Sequence, residues 1–219
     1  MNTHSHARRS RGGFTLIELV IATVIMSLIL GTMGIVQMRA RDASRAGMQR
    51  EQVETTCRRA LDRVTQELQG VVKSLIFPDP STALGTSTIT YQHPTGVSAA
   101  GVVSWDLPSS LSLELEPGEI DNGLDDNGNG LIDERCLVLT RNVGGPNQTT
   151  TVLCSGIPEL AEGEVANGLD DNGNGVVDEA GFNVRKVGDL LTVRLTVQEV
   201  SPTGEIITSS LQTSLTLHN

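Results

Sequence analysis

An α+β fold is predicted for this chain: a long N-terminal spine helix, then an antiparallel β-rich globular head that carries two ion-binding loops. Three observations predict it. Residues 14–38 hold one ionisable side chain, apolar residues between 57 and 75 recur at spacings of three and four, and short alternating segments bounded by turn residues begin at about residue 85. With one Trp, one Tyr and three Phe in 219 residues, the core must be built from Leu, Val, Ile and Ala. The same scarcity disfavours a platform for stacking single-stranded bases. Arg8, Arg9 and Arg11 precede the apolar segment with no acid beside them, so the rest of the chain carries 13 basic against 26 acidic side chains. No nucleic-acid partner is expected of that balance, and cations are the natural ligands.

The first element is Phe14-Thr15-Leu16-Ile17-Glu18-Leu19 and onward to Met38. As a helix it would extend about 37 Å, enough to cross a bilayer. It is too long for a cleavable secretory peptide and ends in Arg39-Ala40-Arg41 rather than at a small-residue cleavage site. A plain anchor does not explain Glu18. An acid at the centre of such a span costs about 2.5–3.5 kcal/mol, less near an end, so it calls for a partner.

At Gly12-Gly13-Phe14-Thr15-Leu16-Ile17-Glu18-Leu19-Val20 the chain resembles the class III signal of the type IV pilin and pseudopilin superfamily. The shared features are a short basic leader, Gly before the cut, Phe after it, Glu at the fifth mature position and an unbroken apolar helix. The resemblance implies that a prepilin peptidase removes leader 1–13 by cutting between Gly13 and Phe14, and that Phe14 is N-methylated. Residues 14–38 then remain as a single inner-membrane span, with the head outside the cytoplasm, and later enter the core of a pilus or periplasmic pseudopilus. It also implies other pilin or pseudopilin subunits as partners, with Glu18 pairing with the Phe14 amine of a neighbour. Two ionised groups that are each costly in lipid attract strongly when they meet there.

Cys57, Ala60, Leu61, Val64, Leu68, Val71, Val72 and Leu75 place one apolar face on a helix predicted to continue to about Ile76, with 39–76 as its extramembrane half. Arg58, Arg59, Asp62, Arg63, Gln66, Glu67 and Gln69 are expected on a solvated face. Pro78 and Pro80 mark the stop, and Gly31 and Gly34 are either weak points or places of close helix packing. Residues 77–219 form the head. Strands are expected at 87–93, 102–105 and 111–115, with Leu191, Val193, Leu195 and Val197 sharing a face before a turn at Ser201-Pro202-Thr203-Gly204. Ile207, Leu211, Leu215 and Leu217 follow on one parity. This C-terminal hairpin loosely resembles larger minor pilins and the J-type minor pseudopilin of type II secretion.

A further hairpin is expected from 136–140 and 150–154. If its loop closes symmetrically about Gly145, Cys136 and Cys154 fall opposite each other, and an oxidising compartment would favour a disulfide of about 3 kcal/mol. Cys57 then reads as a buried thiol, with pairing to either other cysteine left open.

The most specific signal in the head is a duplication. Residues 118–134 read GEIDNGLDDNGNGLIDE and residues 163–179 read GEVANGLDDNGNGVVDE, 13 of 17 positions agreeing at an offset of 45. Asp125, Asn127, Asn129 and Gly130 reproduce the first half of an EF-hand-type loop, with the Leu131 carbonyl at position seven and Asp133 at position nine. The second copy offers Asp170, Asn172, Asn174, Val176 and Asp178 in the same register. Hard oxygens alternating through a Gly-rich turn suit calcium, so two ions are expected. Position twelve is Cys136 or Gly181 instead of a bidentate Glu, and either Glu134 and Glu179 or Glu119 and Glu164 would have to substitute.

Two classes of function fit these features. One is a structural subunit, a minor pseudopilin or minor pilin. The other is a calcium-dependent adhesive or ligand-binding module on a pilus. No enzyme is expected, since His93 and His218 are the only histidines after the leader and no catalytic triad or acid pair stands out.

Overall fold

The computed structural model describes Gly13, residues 15–82 and residues 84–217. Leader positions 1–12 and the expected new N-terminus, Phe14, lie outside the described residues. The chain divides into two compact units, Met1–Ala46 and Gly47–Asn219.

Helix α1 spans Leu16–Leu68 and, among the described residues, is long and apolar enough to cross a membrane. Its apolar N-terminal stretch buries nothing within the chain. The hydroxyls of Thr23, Ser27 and Thr32 donate at 2.9, 2.8 and 2.9 Å to the carbonyls of Val20, Val24 and Ile29. These three hydroxyls are thus satisfied by their own helix, an arrangement that suits an apolar surrounding.

In the second unit the strands are β1 (Ile89–Tyr91), β2 (Pro94–Val97), β3 (Val103–Trp105), β4 (Ser109–Leu115), β5 (Arg135–Arg141), β6 (Thr149–Ile157), β7 (Phe182–Val187), β8 (Leu190–Val200) and β9 (Ile206–Thr216). They make an antiparallel sheet in the order β1-β4-β5-β6, a second in the order β7-β8-β9, and the small hairpin β2-β3. One apolar cluster joins α1 and the two larger sheets: Val53, Cys57, Val64 and Leu68 of α1 pack with Leu137 and Leu139 of the first sheet and with Leu191, Val193 and Leu195 of the second. This is the expected α+β architecture; of the apolar face predicted from Cys57 to Leu75, the residues as far as Val71 are buried, while Val72 and Leu75, beyond the end of the helix, are only partly so.

Four details depart from expectation. Helix α1 stops at Leu68 instead of about Ile76, because Gly70 takes a left-handed φ of 80° and reverses the chain, after which Lys73–Leu75 forms a short 3₁₀ turn. Glu67 is not on a solvated face but 8% exposed, bridged by Arg141 of β5 and by Arg63 at 3.0 Å. Strands β2 and β7 were not anticipated: Pro94-Thr95-Gly96-Val97 carries strand-breaking residues, and Phe182–Val187 mixes Asn, Arg and Lys among its apolar positions.

The fourth departure concerns the cysteines. The β5–β6 register shifts, so Leu137, and not Cys136, is paired with Cys154. Successive residues of a strand face opposite sides, which puts Cys136 on the far side of the sheet from Leu137 and Cys154. All three cysteines are buried free thiols, and Cys57 and Cys154 belong to the same core. Burial pushes the Cys57 thiol up to about 11 and that of Cys154 to about 12.

Candidate functional site

Two places on the chain carry chemistry. At the start of α1, Glu18 accepts hydrogen bonds on Oε2 from the Thr15 backbone N–H at 2.8 Å and the Thr15 hydroxyl at 2.9 Å. The Glu18 N–H in turn donates to Thr15 Oγ1 at 3.4 Å. This reciprocal pattern is a capping box, which satisfies helix-end donors that water would otherwise take. Its signature, Thr-x-x-Glu ahead of an apolar run, was legible at Thr15-Leu16-Ile17-Glu18 but was hidden behind the more conspicuous question of a carboxylate in lipid. Gly13 is exposed, as access by a peptidase requires.

The second place is the pair of repeated loops. The first joins β4 to β5 within one sheet, and the second carries the chain from β6 in that sheet to β7 in the other. Their hydrogen bonding is duplicated along with their sequence. Asp125 accepts from the backbone N–H groups of Gly128 at 2.6 Å, Asn129 at 3.2 Å and Gly130 at 2.8 Å; Asp170 does the same for Gly173, Asn174 and Gly175. Asp133 and Asp178, at left-handed φ of 48° and 45°, each accept two further backbone N–H groups, those of Asn122 and Gly123 and of Asn167 and Gly168. The Asn127 and Asn129 side-chain oxygens accept from the N–H two residues on, as do those of Asn172 and Asn174. Gly118 and Gly163 occupy left-handed φ of 101° and 86°, and a Cβ on either would come within 3.2 Å of the facing asparagine Cβ.

The carboxylates expected at positions one and nine are therefore engaged by the loop's own backbone. The glutamates differ. Glu119, Glu134, Glu164 and Glu179 are 7%, 1%, 8% and 1% exposed, and in each the Oε2 atom is buried without a hydrogen-bond partner. Their other oxygens point into the loops: Glu119 Oε1 accepts from the Asn127 N–H at 2.9 Å, and Glu134 Oε1 from Asn127 Nδ2 at 2.7 Å and Asn129 Nδ2 at 2.5 Å. An open, buried carboxylate oxygen is costly unless a cation or donor meets it. The oxygen-rich donor set fits a hard cation such as calcium. Leu131 and Val176, whose carbonyls were expected to add a ligand, are themselves buried. Among the described residues no group of three or more acidic, histidine or cysteine side chains forms a ready-made metal cage.

The surroundings of the two loops are not duplicated. Beside the first, Glu116 adds another acid whose Oε2 is buried without a partner; burial, and then the facing Glu134 carboxyl, push its pKa above the ordinary carboxylate value. The corresponding residue of the second copy is Ala161. Beside the second, Arg194 of β8 donates to Glu179 Oε1 at 2.7 Å, and Arg185 of β7 donates to the Gly175 carbonyl. Neither arginine, nor Glu116, drew notice in the sequence, since each lies outside the repeat.

A family model described as the prokaryotic N-terminal methylation motif matches residues 8–34. The chain carries a class III, type IV pilin-like signal. The motif indicates a type IV pilin-like substrate of prepilin peptidase and points to a structural subunit that is anchored in a membrane and assembles with other pilin-type subunits. Comparison with curated proteins and with solved structures returned no match.

Proposed function

We propose that the chain is a minor pseudopilin or minor pilin of a type II secretion pseudopilus or type IV pilus, whose head is stabilised by calcium. The methylation motif over residues 8–34, ending in a membrane-length apolar helix, carries this reading. Peptidase cleavage between Gly13 and Phe14 leaves Phe14 with a free, methylated amine inside the membrane. That amine and the Glu18 carboxylate of an adjacent subunit neutralise each other as the helices bundle. The head lies outside the cytoplasm, where calcium is available to the two loops. The orphaned oxygens of Glu119 and Glu134, and of Glu164 and Glu179, support a cation there, with the Asn127, Asn129, Asn172 and Asn174 amides as neighbouring oxygen donors.

N-terminal mass spectrometry of membrane-extracted protein tests the processing step. The mature chain is expected to begin at methylated Phe14; an intact residue 1–13 segment in cells with an active prepilin peptidase would overturn the assignment. The second reading, a calcium-dependent adhesive face on a pilus, is favoured by the exposed aliphatic side chains that both loops present, Ile120 and Leu124 in one and Val165 and Leu169 in the other.

A further inference from the structure

The two loops match in sequence and in internal hydrogen bonding, yet the charge around them does not. Glu134 and Glu179 occupy the same repeat position, both 1% exposed, both holding two asparagine side chains on Oε1. Glu179 has a guanidinium on that same oxygen; among the described residues no Lys or Arg pairs with Glu134, Glu119 or Glu116. Arg135, next in sequence, pairs instead with Asp121 at 3.4 Å. The glycines shared by the two copies meet different neighbours as well: a Cβ on Gly130 would touch the apolar Val200, whereas one on Gly175 would touch the Arg185 guanidinium.

Building on the calcium reading above, we propose that the duplicated loops are unequal: the first is the calcium site proper, closed by Glu119 and Glu134 with Glu116 beside them, while in the second Arg194 already holds the place of the cation. A buried carboxylate requires a positive partner, and the partner can be a metal ion or a guanidinium. In the second loop Arg194 is built in, lying 26% exposed and held from its other side by Gln212 at 3.1 Å. A calcium ion entering there must displace that guanidinium or sit against a like charge, and Arg185 on the Gly175 carbonyl adds a second obstacle. In the first loop nothing of the kind opposes entry. Three acids there have open, buried oxygens that draw a cation in. Cavities lie beside both loops, one against Glu116, Asn129 and Leu131 and another against Glu179 and Arg194, so the loops differ in charge and not in access. The second loop, which joins the two sheets, thus has part of its charge met without metal, although Glu164 and Glu179 each keep an open oxygen, and calcium acts chiefly on the β4–β5 loop.

Calcium titration calorimetry of the detergent-solubilised full chain, with thermal unfolding in calcium and in chelator, tests this. The wild type is expected to show one strong binding event, any second at least tenfold weaker. Glu134→Gln weakens the strong event at least tenfold, and Glu119→Gln gives the same arm without touching the more deeply buried position. Glu179→Gln leaves the strong event in place, whereas Arg194→Gln strengthens the second site about tenfold or more. Two wild-type events of equal strength, or equal losses from Glu134→Gln and Glu179→Gln, would overturn the inequality and leave the calcium reading standing. Absence of both binding heat and any calcium-dependent melting shift would overturn both.

Discussion

On the proposed assembly, Glu18 serves two partners with one carboxylate. Within its own chain it completes the Thr15 capping box, and both of those bonds fall on Oε2. Among the described residues Oε1 accepts nothing, so one oxygen is available for a neighbour's amine while the other keeps the helix end closed. The two roles separate by substitution. Glu18→Gln keeps a side chain able to cap but carries no charge, Glu18→Ala removes both, and Thr15→Ala removes the cap at about 0.5–2 kcal/mol of helix stability. Filament incorporation, measured against membrane insertion, is expected to fall for both Glu18 variants and to persist for Thr15→Ala. Full assembly of Glu18→Gln would assign the carboxylate to the cap alone.

Helix α1 is fastened to the first sheet by polar contacts as well as by its apolar face. Glu67, near its C-terminus, receives Arg141 from β5, Arg63 from the preceding turn and the Tyr91 hydroxyl at 3.5 Å. The Glu67 bond raises the Arg141 pKa, while burial pushes the Tyr91 phenol upward, with the Glu67 charge adding to it. Arg141→Met keeps the aliphatic bulk and leaves Glu67 buried with Arg63 alone. Breaking a fully buried ion pair costs about 3–5 kcal/mol; with Arg141 itself 43% exposed and Arg63 remaining, about 1–3 kcal/mol is expected here. Denaturant unfolding checks it: the midpoint is expected to fall with its slope unchanged. An unmoved midpoint would make the contact decorative.

For the whole molecule, calcium should appear as added stability of the head, because an ion that binds only the folded form contributes about 2.7 kcal/mol per site at a hundredfold excess over Kd. Not every loop carboxylate reports on it equally. Asp125 holds three backbone N–H groups, so Asp125→Ala is expected to lower the melting temperature in chelator as well as in calcium. Glu134→Gln, which removes charge and keeps shape, is expected to act chiefly when calcium is present. If Asp125→Ala lowered the melting temperature only in calcium, the aspartate would be a ligand first and a turn-former second, as an EF-hand register would have it.

The sequence by itself determined what depends on neighbours along the chain: the signal at Gly13, Phe14 and Glu18, the membrane-length apolar run, the buried helix face from Cys57 to Leu68, the alternation of β8 and β9, and the repeated loop. Periodicity and local motifs carry that information because their contacts lie within a few residues. Only the tertiary structure decided how distant residues share charge and space. The shifted β5–β6 register separated Cys136 from Cys154, and Arg141 drew Glu67 out of the solvated face. Folding also brought Arg194 of β8 to one copy of the loop and Glu116 to the other. Two nearly identical stretches of sequence thus acquire different electrostatics, since a buried carboxylate is governed by the charges packed against it and not by its position in a motif.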